Sequence, residues 1–438
     1  MTKKAGQRFF ILMAVFLLAF PLAGCAQLMD EFPFLQPATV EPAAPIEISA
    51  TPTAVVEPTQ AAPTADPNQV TIWLPPAFDP DNGSPEGKLL KKQLQLFSEA
   101  NGGIDVNVRI KALSGPASLL ESLTATSLAA PGALPGLVIL PRNDLVAAVE
   151  ARLLVPLDGD NPPSQQIETF ALAAELAEVN DIAYGLPFAA DALSIAYNSL
   201  QVAYPPTQWR ELWQLQKILA FPAAEAEAIF TALLYQDKGG NFRHNESQIT
   251  LQEEALQQTL IFLADGANKN VFPYWLTNYT TYAESWQALR DARSTFSVIW
   301  ASQYLEETPA NTLIHPVPTF GTEKLTLADG WVIAFPETSP ERFELNQKLA
   351  AYLVEPEFQG EWTESAGLIP LSEEALTVWE NTEVSAILME IAESAHLAPP
   401  APVLDVVGPL FSQATIEMLR QKATYIESSN RIIKELAE

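Results

Sequence analysis

The feature that most constrains the fold is the segment 183–198, which reads AYGLPFAADALSIAYN. Its early glycine and proline interrupt the chain direction, as is usual just before a strand. Beyond them Leu193, Ile195 and Tyr197 fall on one face at a period of two, and alanine and serine fall on the other face. Asp191 is the one charge in the segment. The pattern predicts a long strand whose small-residue face lets another backbone or a ligand approach closely.

The start of the chain has the composition of an export signal. A basic start at residues 3–8 precedes an unbroken apolar run at 9–20, and the sequence LAGC ends at Cys25. The apolar run is about the length of a signal-peptide core and short for a membrane span. The LAGC quartet resembles the bacterial lipobox, which implies a signal peptide at 1–24 and lipidation of Cys25. The alternative is a plain signal peptide with an incidental cysteine.

The next segment, 25–69, is predicted to be a tether. It is rich in Pro, Thr and Ala and contains no Lys or Arg, a composition that cannot bury a core. Cys25 is the single cysteine of the chain, so no internal disulfide is possible. No second apolar run of ~20 residues occurs. A lipid on Cys25 is therefore the expected link to a membrane.

The remaining residues are numerous enough for two domains and begin with a regular alternation of elements. The formal net charge of −29 argues against a nucleic-acid partner, because phosphates require Lys and Arg. Alternation of strands and helices is typical of a parallel sheet. The predicted strands lie at 70–74, 104–110 and 135–140, and the predicted helices lie at 88–100, 119–129 and 145–151.

Several landmarks in order resemble the family-1 extracellular solute-binding proteins, which are the receptors of ABC importers. They are the segment 183–198, Phe97 to Val106, Gly132 to Pro135, Arg152 to Asp158, a second crossing at Gly330 to Phe335, and Phe358 to Pro370. One departure is Gly136, which stands where the family usually has Asp. The landmarks extend over nearly all of the chain after residue 70.

The resemblance implies an α/β fold of two lobes, periplasmic-binding-protein-like (type II), with hinge strands between mainly parallel sheets flanked by helices. The expected lobes are 70–190 plus 293–327, and 191–292 plus 328–438. It implies a monomeric, lipid-anchored protein on the extracytoplasmic face of a bacterial membrane. Such a protein captures a small, sugar-like solute by closing its hinge and delivers it to ABC permease subunits.

The residues give no sign of catalysis. His244, His315 and His396 are far apart and lack partners at metal-ligand spacing, and no nucleophile or phosphate-binding motif occurs. The acidic segment 79–83 is similar to the start of an EF-hand calcium loop, but its glycine is one position too early for that loop. We therefore expect no catalytic residue, no metal and no cofactor.

Binding of a sugar requires aromatic faces together with hydrogen-bonding side chains. In open α/β sheets such groups lie beyond the carboxyl ends of strands. The candidate ligand-binding residues are Trp300, Trp331, Asp191, Asp144, Phe78, Asp79 and Tyr279. Core packing is the alternative for each tryptophan, and capping of a backbone amide is the alternative for Asp191.

Two other functions stay open at this point. The chain is compatible with an anchored glycan hydrolase, which turnover of a chromogenic glycoside would reveal. It is also compatible with a sensor or docking protein of the same fold, which adjacency to permease genes would disfavour.

The lipidation of Cys25 is directly testable. We expect Cys25→Ser to move the protein from the membrane fraction to the medium or periplasm, because the acyl chains would be lost. Immunoblots of fractionated cells measure this. An unchanged membrane fraction would contradict the anchor.

Overall fold

The computed structural model describes residues 68–157, 169–245, 248–336 and 339–438. The predicted signal peptide, Cys25 and nearly all of the tether lie outside these ranges. Within them, no helix combines the length and the apolarity needed to span a membrane.

The described residues form an α/β arrangement of short strands and amphipathic helices. The strands are β1 Gln69–Leu74, β2 Asp105–Ile110, β3 Leu137–Pro141, β4 Glu178–Val179, β5 Ile182–Ala183, β6 Gly185–Asn198, β7 Leu219–Ala220, β8 Arg243–Asn245, β9 Gln248–Thr250, β10 Phe296–Trp300, β11 Thr312–His315, β12 Thr326–Ala334 and β13 Ala395–Leu397. The helices are α1 Pro85–Ala100, α2 Leu119–Ala129, α3 Arg142–Glu150, α4 Ala171–Ala177, α5 Trp209–Leu215, α6 Ile229–Asp237, α7 Glu253–Asn268, α8 Tyr282–Arg290, α9 Ala301–Glu306, α10 Pro340–Leu353, α11 Pro356–Ala366, α12 Glu373–Leu376, α13 Thr382–Glu393, α14 Ala401–Leu419 and α15 Tyr425–Ala437.

Local sequence explains where several helices begin. At α1 the Ser84 hydroxyl accepts a hydrogen bond from the Gly87 N–H, Pro85 occupies the first turn, and Glu86 places an acid there. α1 therefore begins at Pro85, three residues before the helix predicted at 88–100. α6 begins only at Ile229, because the preceding Ala228 takes a left-handed conformation with φ of 50°.

The larger sheet joins its strands in the order β2-β1-β3-β12-β6-β10-β7. β1 pairs in parallel with β2 and β3, and β7 pairs in parallel with β10. β12 runs antiparallel to both β3 and β6, and β10 and β11 run antiparallel to β6. Each antiparallel pair of this sheet thus includes β6 or β12, the two strands that cross between the lobes.

The chain crosses between the lobes along β6, the strand predicted at the outset. Residues 185–192 of β6 pair with β12, and residues 193–198 pair with β10 and β11. β12 provides a second crossing, as predicted. The segment from β13 to the start of α14 provides a third. The lobes are therefore joined by several adjacent passages of the same chain.

Three apolar clusters fill the structure. The first-lobe core packs β1 and α1 against α10 and α11, as with Ile72, Leu90 and Leu349. The second-lobe core packs β6 and α5 against α6, α7 and α14. The crossing core lies along β6 and β12 and joins α4 and α13 to α8 and α9.

The two faces of β6 divide between these cores as the sequence predicted. Leu193, Ile195 and Tyr197 belong to the second-lobe core, whereas Ala192 and Ala196 belong to the crossing core. The alternation therefore places one strand between two apolar layers.

The helices that follow β12 pack on more than one of these cores. Phe343 and Trp362 join the first-lobe core, and Leu388 joins the crossing core with α4. β12 returns the chain to β3, and α10 and α11 then pack on the core that contains β1 and β3.

A substitution at Gly330 tests whether the close approach of β6 and β12 contributes to stability. A methyl group on Gly330 would lie 2.6 Å from the Ala189 carbonyl oxygen and 2.9 Å from a Leu176 methyl carbon. We expect Gly330→Ala to lower the free energy of unfolding by about 1–3 kcal/mol, since a packed strand pair has to separate.

Urea denaturation measures this change. The matched control is Gly132→Ala, because a methyl group on Gly132 meets nothing within 4 Å. Equal midpoints for the two variants would show that the strand pair tolerates the added atom.

Candidate ligand-binding cleft

A cavity of about 470 Å³ lies between the lobes. Its walls come from the start of α3, the segment around α6, the end of β10, β12, and the passage from β13 into α14. The lining residues are Arg142, Asn143, Val146, Glu227, Ile229, Gln236, Asn241, Phe242, Trp300, Ala328, Asp329, Leu397, Ala398, Pro399, Pro400, Val403 and Leu404. Both lobes and two crossings thus contribute to one space.

Trp300 provides an aromatic wall of this cavity. It ends β10 and precedes α9, and its indole is only partly buried. The ring of Tyr282 meets it edge to face, with centroids 5.9 Å apart. That packing holds the indole in place while part of its surface lines the cavity. A partly exposed, fixed indole is suited to stacking on an apolar ligand face.

Arg142 and Asn143 bring polar groups from the first lobe. They open α3 directly after β3, at the carboxyl end of a parallel strand, where open α/β sheets bind ligands. An Arg142 Nη1 donates to the Leu176 carbonyl at 3.0 Å. Asn143 Oδ1 accepts from the Ala401 N–H at 3.4 Å. The Asn143 contact connects the start of α3 to the start of α14.

Asp329 lies on β12 directly opposite Asp191 on β6. Its Oδ1 accepts from the Gly330 N–H at 2.7 Å. Burial raises the pKa of the Asp329 carboxyl, the Glu227 charge raises it further, and the Arg142 charge lowers it. Asp329 therefore places a half-buried carboxyl on the floor of the cavity between two charged neighbours.

Asp191 has the structural role that the sequence left open. Its carboxylate accepts hydrogen bonds from the Ala192 N–H at 2.9 Å and from the Ser302 N–H and hydroxyl at 3.0 and 2.5 Å. Burial raises its pKa to about 6, against the opposing effect of the Ser302 hydrogen bonds. Asp191 thus fastens β6 to the first turn of α9, beside Trp300.

Glu227 reaches the cavity through a tightly constrained loop. A methyl group on Gly408 of α14 would lie 2.6 Å from the Ala226 carbonyl oxygen, so only glycine allows this approach. Ala228 follows in the left-handed conformation, and Glu225 accepts a hydrogen bond from the Ile229 N–H at 2.9 Å. These contacts fix the backbone from which Glu227 projects.

Of the other predicted aromatic residues, Phe78 and Tyr279 are buried in cores, and Trp331 is partly buried against one. Phe78 is buried against Phe188 and Trp362, and the Trp331 ring packs on Phe78 with centroids 4.9 Å apart. Tyr279 is buried in the second-lobe core. They are not among the residues that line this cavity. Aromatic side chains are common in apolar cores as well as in ligand sites, and these three pack on core residues.

The two remaining predicted acids also lie outside the lining of the cavity. Asp79 Oδ1 accepts from the Asp81 N–H at 2.8 Å and shapes its own turn. Asp144 follows the lining residue Asn143, and burial raises the pKa of its carboxyl. One Asp144 oxygen is buried without a hydrogen-bond partner among the described residues.

The sequence reasoning missed Arg142, Glu227 and Asp329. Arg142 was predictable from the sequence. Ligand-binding residues lie beyond the carboxyl ends of strands, and Arg142 follows the end of β3 more directly than Asp144 does. Asp329 precedes the predicted second crossing by one residue. Glu227 gave no signal, since its position depends on the approach of α14.

A family model described as "Bacterial extracellular solute-binding protein" matches residues 92–386, which is more than half of the chain. A comparison with curated protein sequences found no match.

Solved structures with the same fold cover most of the chain. Maltose-bound MalE3 of T. maritima has a TM-score of 0.61 at 20% identity, over 84% of this chain and 99% of that chain. A cyclo/maltodextrin-binding protein complexed with maltotetraose has a TM-score of 0.67 at 20% identity, over 85% and 97%. An ABC transporter solute-binding protein of Thermotoga lettingae with alpha-D-tagatose has a TM-score of 0.59 at 18% identity, over 84% and 99%. These likenesses confirm the two-lobe fold.

The raised pKa of Asp191 predicts a pH effect on stability. Between about pH 4 and 6 the folded state holds a proton on Asp191 that the unfolded chain has released, so its contribution to stability falls as pH rises through this window. Asp191→Asn removes this dependence. We expect wild type to lose about 1–3 kcal/mol relative to the variant from pH 4 to 7.

Thermal and urea unfolding at several pH values measure this difference. Asp265→Asn on the exposed face of α7 controls for the loss of one negative charge. A wild-type-to-Asp191→Asn difference that stays constant across the window would contradict the assignment.

Proposed function

The chain belongs to the bacterial extracellular solute-binding proteins, and from this we propose that it captures a sugar-like solute for an ABC importer. The observation that carries the proposal is the cavity between the lobes. Its walls come from both lobes and from the crossing strands. A ligand there contacts all walls only when the lobes are closed, so binding selects the closed population.

The lining supports a sugar as the class of solute. The Trp300 indole offers an apolar face, and Arg142, Asn143, Gln236 and Asp329 offer hydrogen-bonding groups. A sugar ring has a weakly apolar face and a rim of hydroxyls, so it matches this combination. A volume of about 470 Å³ is within the usual range for small-molecule sites. The structural neighbours with maltose, maltotetraose and tagatose agree with the proposal.

The sequence outside the described residues supports the cellular setting. The export signal and Cys25 point to a lipid anchor, and the Pro-rich segment 25–69 would raise the receptor above the membrane. On this proposal the protein is a monomer on the extracytoplasmic face. It passes its ligand to ABC permease subunits that recognise the closed form.

The packing supports a revised division of the lobes. We assign 70–192 and 328–397 to the first lobe and 193–327 and 398–438 to the second, with α8 and α9 against the crossing core. Each boundary then falls on one of the crossings between the lobes.

Trp300 provides the test of the site. We expect Trp300→Ala to weaken sugar binding about tenfold or more, because the stacking face and its buried area are lost. Titration of intrinsic fluorescence and calorimetry with mono- and oligosaccharides measure the affinity.

The matched control is Trp275→Ala. Trp275 is also partly buried, packs on Tyr279 at 5.4 Å and does not line the cavity. Equal loss of affinity in both variants would contradict the placement of the ligand. Turnover of a chromogenic glycoside by the wild-type protein would instead indicate the hydrolase alternative.

A further inference from the structure

The cavity contains more negative than positive charge. Its charged lining residues are Arg142, Glu227 and Asp329, one guanidinium and two carboxyls from three separate parts of the chain. Charges that are withdrawn from water have to be paired, or folding and ligand binding are penalised.

The positive charge of Arg142 already has two carboxyl neighbours, one in the cavity lining and one outside it. Asp329 and Glu175 both lie close enough to raise its pKa, against the lowering effect of burial. Glu175 is itself held in place, since its carboxylate accepts from the Leu397 N–H at 2.9 Å and contacts His396 Nδ1 at 2.8 Å. Arg142 also donates to the Leu176 carbonyl. Arg142 therefore does not neutralise both cavity carboxyls.

Several acceptor atoms of the cavity lack a donor among the described residues. Asp329 has a donor on Oδ1 alone. Within the described residues the Glu227 carboxylate has no ion pair or hydrogen bond, and the buried Gln236 Oε1 has no donor. Acceptors of this kind are costly to bury, so a bound ligand has to supply donors to them. An ammonium group is the strongest such donor and also offsets the surplus charge.

We infer that the ligand is an amine-bearing, positively charged sugar whose ammonium group lies between Asp329 and Glu227. The inference rests on the proposed function and narrows its ligand class. The ammonium group would donate hydrogen bonds to the carboxylates of Asp329 and Glu227, while the sugar ring stacks on Trp300. The close approach at Gly408 and the left-handed conformation of Ala228 would then place the Glu227 carboxylate where it can bind the ammonium group.

The test is calorimetric titration of the purified full-length chain with matched sugars. The panel holds glucosamine, N-acetylglucosamine and glucose, with the corresponding β-1,4-linked disaccharides. We expect an amine-bearing member to bind at least tenfold more tightly than its acetylated and neutral counterparts, and more weakly at high salt. Equal or tighter binding of the neutral members overturns the charge preference and leaves the proposed sugar binding intact. No binding by any sugar overturns both.

Two variants locate the amine. We expect Glu227→Gln and Asp329→Asn each to weaken binding of the amine-bearing sugar about ten- to a hundredfold, as for loss of one charge-assisted hydrogen bond. Binding of any neutral sugar should change much less. The control is Glu254→Gln, which removes an exposed acid from the first turn of α7, outside the cavity.

Unfolding midpoints of the variants separate loss of fold from loss of binding. Undiminished amine binding in both Glu227→Gln and Asp329→Asn, each with a wild-type midpoint, overturns the inference. A parallel loss for neutral sugars overturns it as well, because the two carboxyls would then serve any sugar alike.

Discussion

The antiparallel pairing of β6 with β12 is the interaction on which the rest of the structure depends. Both strands present small or aliphatic side chains to the crossing core on one face. On the other face Leu327 and Leu193 belong to the second-lobe core, and Ala189 and Ile333 belong to the first-lobe core. Asp191 and Asp329 stand opposite each other between these two cores. Because carboxyls require hydrogen bonds or water, they interrupt the apolar face, and Asp329 lines the cavity at this point.

The sequence predicted this strand pair well because the signal is local. A strand with apolar layers on both sides needs alternate side chains of fixed character, and 193–197 has that alternation without an exception. The start of α1 was predictable for the same reason, since Ser84 and Pro85 act within one helical turn. The two-lobe fold followed from the order of such landmarks along the chain.

The residues of the cleft were harder to predict, because they meet only through the tertiary fold. Phe78 and Trp331 were good candidates by position, yet Phe78 packs on Trp362 from a distant helix. Glu227 reaches the cavity because α14 carries a glycine at the point of contact. No pattern within one segment encodes such an encounter. In a similar way, the direction of β12 decides which sheet the later helices cover.

The crossing core also determines how the molecule can move. It joins α4 and α13 on one side to α8 and α9 on the other, behind strands that both halves share. Sliding the halves past each other would expose this apolar surface at about 25 cal/mol for each Å². Rotation of the lobes about the crossing core keeps this apolar surface buried, so the crossing core acts as a hinge. A rotation of the lobes about the crossing core therefore costs less apolar surface than a sliding motion does.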